Sequence, residues 1–136
     1  MIADAGVLYG AVDVREPRHR DARDVLAGWE GEIVVSAFTA AEADYLILSR
    51  LGIDAQLAFV EDLSGAYLVD SLDPSELKLA AEVCRLHRDL ELGLADASIV
   101  VLAKKWRTRA IATFDYRHFR ALVPLQGDAF ELHPDS

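Results

Sequence analysis

The chain has 136 residues, 52% of them hydrophobic and 27% charged, with a formal net charge of −9. That length fits one domain able to bury a core without staples, and its single cysteine, Cys84, excludes an internal disulfide or a thiolate zinc cluster. No apolar run approaches the roughly 20 residues that span a bilayer, and the start lacks the pattern of a signal peptide. The expectation is one soluble, cytoplasmic domain over residues 1–136 with no membrane contact.

Elements alternate along the chain. Met1 to Asp4 reads as a short strand, Val7 to Val14 as a helix, and Arg18 to Trp29 as a second helix with Ala22, Val25, Leu26 and Trp29 at helical spacing. Ile33 to Val35 is a buried strand, and Ser36 or Thr39 caps a helix reaching Arg50. Gly52 ends that helix, and Asp54 to Leu63 forms the next. Tyr67 to Val69 is a third strand. Asp73-Pro74 opens a helix running to about Leu90, with proline at its first position. Leu94 to Trp106 is a long apolar helix, Ala110 to Ala112 a fourth strand and Phe130 to Leu132 a fifth. Strands alternating with helices predict an α/β fold with a parallel sheet covered on both faces. Such sheets bind ligands beyond the carboxyl ends of their strands.

Four carboxylates stand at positions that bear on that rim. Asp4 directly follows the first strand, and the small residues Ala5-Gly6 beside it leave room for a metal or phosphate; it reads equally as a cap for the next helix. Glu42 shares a helical face with Phe38 and Leu46, whereas Asp44 points to the opposite, solvent side. Asp96 shares the face of Ile99, Val100 and Ala103, though a first-turn aspartate also complements the helix dipole. Asp115 follows the fourth strand, as a site residue or as a cap for a short helix through Phe119, and Thr113 places a hydroxyl near the same rim. Asp13, Asp44, Asp70 and Asp89 read as surface or turn residues. A buried, ionised carboxylate is costly unless it is paired or bound to a cation. Four of them in one small domain predict a pocket for a hard divalent ion, Mg²⁺ or Mn²⁺.

Other chemistries have no support. There is no Cys/His ligand spacing, glycine-rich nucleotide loop or G-x-S-x-G elbow, and the four histidines are scattered. The charge is unevenly spread. From Arg15 to Arg23 four arginines outweigh Glu16 and Asp21 by two, and from Lys104 to Arg120 six bases outweigh Asp115 by five, leaving −16 for the remainder. The two basic stretches are candidate tracks for a phosphate chain, or solvated helix faces.

The pattern resembles the PIN-domain ribonucleases, and within them the VapC-type toxins of toxin–antitoxin pairs. Its markers are Ile2-Ala3-Asp4-Ala5-Gly6-Val7-Leu8, Ala40-Ala41-Glu42-Ala43, Leu94-Ala95-Asp96-Ala97-Ser98-Ile99, and Ile111-Ala112-Thr113-Phe114-Asp115 with His118-Phe119. Each is short; their order and spacing over nearly the whole chain carry the likeness. The resemblance implies a three-layer α/β/α PIN-like domain in which Asp4, Glu42, Asp96 and a more variable Asp115 hold one or two metal ions. It further implies Mg²⁺- or Mn²⁺-dependent endoribonuclease activity on an RNA substrate, homodimerisation, and inhibition by a VapB-type antitoxin. Many relatives carry Ser, Thr or Asn just after the first Asp, where this chain has Ala5-Gly6, so Thr113 is the candidate replacement. Helices near Leu46 to Leu63 are expected to expose an apolar groove for an amphipathic partner helix. Two other readings stand beside this one. The first is a phosphotransferase with Asp4 as nucleophile, which Gly6 disfavours by standing where a second Asp is usual. The second is a catalytically weak PIN-like module that only binds RNA or protein.

Overall fold

The computed structural model describes residues 1–135. In chain order the elements are β1 (Ile2–Ala3), α1 (Ala5–Val12), α2 (His19–Gly28), β2 (Val34–Ser36), α3 (Ala37–Leu51), α4 (Ile53–Gly65), β3 (Leu68–Asp70), α5 (Pro74–Leu86), a 3₁₀ turn (Arg88–Leu90), α6 (Leu94–Lys105), β4 (Ala110–Ala112), α7 (Tyr116–Ala121) and β5 (Glu131–His133). The strands form one sheet in the order β3-β2-β1-β4-β5, and every neighbouring pair is parallel.

Side chains alternate across so short a sheet with a period of two. Ala3, Val35, Ala110 and Ala112 face a layer containing Val7 and Leu8 of α1, Ala22 of α2, Ile47 of α3 and Phe59 of α4. Ile2, Val34 and Ile111 face the opposite layer, with Val83 of α5, Ile99 and Leu102 of α6 and Phe119 of α7. Burial on both faces explains why the strands read as continuous apolar runs. The result is the expected three-layer α/β/α domain. Ala97 to Ala103 of α6 are all buried, which accounts for a helix apolar all round. Among the described residues no helix is long and apolar enough to cross a membrane.

Local chemistry moves several boundaries. The Asp4 side chain accepts from the Ala5 amide, so α1 starts at Ala5 rather than Val7 and stops before the exposed Val14. Helix α5 opens with the reciprocal cap between Asp73 and Glu76. It ends at Leu86, short of the expected Leu90, because buried His87 turns inward and its Nε2 accepts from the Val123 amide at 3.3 Å. β2, β3 and β5 each sit one residue later than expected. Gly52 closes α3 and opens α4 at φ +93°, a left-handed elbow suited to glycine.

Three aspartates read as surface or turn residues also make tertiary or helix-spanning ties. Asp13 is buried and accepts from the Tyr9 hydroxyl at 2.6 Å and the Arg15 amide at 3.0 Å. Buried Asp70 accepts from the Trp106 indole at 3.0 Å and pairs with Lys105 at 2.9 Å. Half-buried Asp44 accepts from Gln56 at 2.8 Å and ties α3 to α4.

Candidate active site

Register builds the first half of the site. Ala3 pairs with Ala112, and the Asp4 amide donates to the Ala112 carbonyl at 2.9 Å, so the residues leaving β1 and β4 emerge side by side. The buried Thr113 hydroxyl donates to Asp4 Oδ2 at 2.9 Å and accepts from the Asp115 amide at 2.9 Å. One hydroxyl thus clamps both loops. It supplies the polar support that Ala5-Gly6 do not. Asp4 Oδ1 accepts from the Ala5 amide at 2.8 Å, and Asp115 Oδ1 accepts from the His118 amide at 3.3 Å. Both acids therefore cap a helix and line the cleft, and the two readings of each are not exclusive.

Glu42 and Asp96 arrive from α3 and α6. The two helices are joined below the rim by Ser36 and Ser98, whose hydroxyl oxygens are 2.6 Å apart. Glu42 departs from expectation: it is exposed at the rim, not packed with the apolar face, although Leu46 one turn on lines the same cleft. Asp96 is half-buried at the start of α6, one turn before the buried Ile99 and Val100, where the helix emerges from the core. Its Oδ2 lies 3.2 Å from His118 Nε2, close enough for an ion pair but off line for a hydrogen bond. His118 was not legible as a partner of Asp96. The two are 22 positions apart in sequence and meet only because α7 folds back over the start of α6.

The resulting cleft, of ≈ 500 Å³, is lined by Asp4, Ala5, Gly6, Glu42, Leu46, Asp96, Phe114 and Asp115. All four sequence-selected acids meet there. Burial raises the Asp4 pKa to about 6; Thr113 pulls it down, and the charges of Asp96 and Glu42 push it up. Burial also raises Asp96, with His118 opposing. Glu42 is raised by desolvation and then by Asp96, but water at the rim screens it, so little stability rides on that shift.

Among the described residues no three His, Cys, Asp or Glu side chains converge tightly enough to hold a metal ion as they stand. The acids line an open cleft, not a closed cage. Donor chemistry nevertheless fits a hard divalent cation: the acids offer only carboxylate oxygen. The groups acting on the desolvated Asp4 are Thr113, Ala5, Asp96 and Glu42, none of them basic.

One residue of the cleft lining, Phe114, is aromatic and carries an arginine behind it. The Arg18 guanidinium lies 4.3 Å from the centre of the Phe114 ring and 5.7 Å from that of Tyr116, and its Nη1 donates to the Tyr116 hydroxyl at 3.2 Å. Arg120 lies 5.6 Å from the same Tyr116 ring. A separate groove of ≈ 430 Å³ runs between α1, α2 and α4, lined by Leu8, Leu26, Phe59 and Tyr67 among others, with Arg23 and Asp62 at its edge. The stretch from Leu46 to Leu63 contributes only its α4 part. Tyr45, Leu48, Ile53, Leu57 and Val60 of α3 and α4 are exposed outside that groove.

The fold and cleft define an α/β/α domain that gathers acids at the carboxyl ends of a parallel sheet. The model of the PIN domain family matches residues 1–123. Ribonuclease VapC26 of Mycobacterium tuberculosis is 38% identical over 135 residues, covering 98% of this chain and all of that relative. The chain belongs to the PIN-domain family, among its VapC-type members. Among solved structures, VapC20 of Mycobacterium tuberculosis, described as a sarcin-ricin loop cleaving toxin, superposes with a TM-score of 0.78 at 19% identity, covering 93% of this chain and 98% of that one. A toxin–antitoxin complex from Klebsiella pneumoniae gives 0.70 at 18% identity, with 88% and 90% covered. VapBC2 of Rickettsia felis bound to promoter DNA gives 0.69 at 12% identity, with 96% of each chain covered. At these identities the structural likeness speaks for the fold.

Proposed function

We propose that the protein is a Mg²⁺-dependent endoribonuclease, with Mn²⁺ as an alternative ion, that acts in the cytoplasm as the toxin of a VapBC-type pair. The observation that carries this reading is the meeting of Asp4, Glu42, Asp96 and Asp115, from four separate parts of the chain, in one cleft. The 38% identical relative is named a ribonuclease, which supports RNA as the substrate.

Asp4, Glu42, Asp96 and Asp115 would hold the ion. The chemistry such an ion would supply is Lewis acidity, which would activate water and offset the charge developing on a phosphodiester. The chain's own groups prepare the cleft for this. With its pKa near 6, Asp4 is mostly ionised at neutral pH. Thr113 fixes Asp4 while holding the Asp115 loop by its amide, so the two acids keep their spacing. Ala5 and Gly6, with next to no side chain, leave room for a phosphate at the start of α1. His118 draws Asp96 towards α7.

The same reading assigns the partners. The groove between α1, α2 and α4 suits an amphipathic helix from a VapB-type antitoxin, and the Klebsiella neighbour is a toxin–antitoxin complex. The exposed apolar face of α3 and α4 suits a homodimer contact. Purified protein is expected to cleave RNA in Mg²⁺ or Mn²⁺, to stop in EDTA and to resume when the ion is restored. Undiminished cleavage in EDTA removes the metal, and no cleavage with either ion leaves only a binding module.

A further inference from the structure

The two basic stretches of the sequence are far apart in the chain, yet the structure joins them at one point. Arg18, from the first, donates to the hydroxyl of Tyr116, in the second, across 98 positions. Its guanidinium carbon lies over the Phe114 ring at 4.3 Å, and Phe114 lines the acidic cleft. Within the second stretch Lys105 pairs with Asp70 and Glu76, and Arg109 pairs with Glu131. In a chain of net charge −9, Arg18 brings a positive group against Phe114, a residue of the cleft lining.

We infer that Arg18, held over the Phe114 ring and by the Tyr116 hydroxyl, is a positioning residue that grips a phosphate of single-stranded RNA next to the bond being cut. This rests on the ribonuclease reading and adds the residue that seats the strand. An arginine stacked on rings uses its π-face for the protein and keeps its N–H edge for oxyanions. The guanidinium has five N–H donors, and two are engaged here, Nε with the exposed Asp21 at 3.1 Å and one of Nη1 with Tyr116. Both partners leave the orientation fixed while donors remain for a bidentate contact. The strand in question is a single one, whose phosphates reach a lone arginine beside a cleft without a partner strand in the way.

The test is steady-state cleavage of a fluorescently labelled single-stranded oligoribonucleotide in Mg²⁺ over a series of salt concentrations. Arg18→Ala is expected to raise KM by roughly ten-fold, more than it lowers kcat, and to flatten the dependence of log(kcat/KM) on log[salt] by about 0.7, the share of one phosphate contact on a single strand. Arg18→Lys keeps the charge without the planar fork, so it is expected to keep the salt slope while KM rises to an intermediate value. A role confined to packing would lower the melting temperature and leave the salt slope alone. Wild-type KM and salt slope in Arg18→Ala overturn the inference and leave the ribonuclease reading intact. If Arg18→Ala does not fold, a wild-type KM in Arg18→Lys overturns it in the same way. If the wild-type chain cleaves no RNA with any divalent ion, the ribonuclease reading fails and this inference fails with it.

Discussion

Asp4→Asn is expected to stabilise the metal-free protein at neutral pH while abolishing cleavage. Burial lifts the Asp4 pKa from 3.8 to about 6, so the folded chain keeps its proton to higher pH than the unfolded chain does. The cost of ionising Asp4 in the fold is therefore absent well below pH 4, grows as pH rises through the window to about 6, and is complete above it. A shift of about two units is worth about 3 kcal/mol at 1.36 kcal/mol per unit, and about 2 kcal/mol once the water still reaching the half-buried side chain is counted. Asparagine removes that charge and still accepts from the Ala5 amide as a cap. It weakens the bond from Thr113 at a cost of about 1 kcal/mol. The net gain of about 1 kcal/mol corresponds to a rise in Tm of roughly 4 °C for a domain of this size. Thermal melts in EDTA at pH 7.5 and pH 4.5 read this directly. The gain should be present at the higher pH and vanish or reverse at the lower. A fall in Tm at pH 7.5, or a gain independent of pH, would refute the claim that a desolvated charge sits at Asp4.

Thr113→Val keeps the shape of the side chain and removes both hydroxyl bonds, so stability is expected to fall by about 2 kcal/mol. The Asp4 pKa then loses the interaction that lowers it, and the acid limb of the pH–rate profile should move to higher pH; an unmoved limb would show that Thr113 does not tune Asp4. Ala58→Arg places a long charged side chain at an exposed position lining the α1–α2–α4 groove. It is expected to abolish capture of the cognate antitoxin in a pull-down while leaving RNA cleavage intact, and undiminished capture would place the partner elsewhere.

The sequence showed the parts of the site that depend on local order. Asp4 and Asp115 each follow an apolar strand, and parallel topology sends both to the same rim whatever the helices do. Glu42 and Asp96 were found by their helical faces, but how far each emerges depends on packing: Glu42 stands in solvent, and Asp96 marks the place where α6 leaves the core. The ties that cross long stretches of chain were not legible. His118 reaches Asp96, Lys105 and Trp106 reach Asp70, and Arg18 reaches Tyr116 only in the folded molecule. Asp13 is a different case. Tyr9 lies four positions before it, on the same side of α1, and that spacing was available as a signal for a hydrogen-bonded pair.

The position of β1 has a consequence for how the molecule is made. Ile2–Ala3 is the middle strand, and one of its two neighbours, β4, is Ala110–Ala112. During synthesis the first strand to leave the ribosome must wait for nearly the whole chain before its second edge is filled, a closure of high sequence separation that is slow to form. Until that edge is paired, Asp4 has neither Thr113 to hold it nor Asp115 beside it. A nascent chain that has not yet made β4 thus carries Asp4, Glu42 and Asp96 without Asp115 and without the completed cleft.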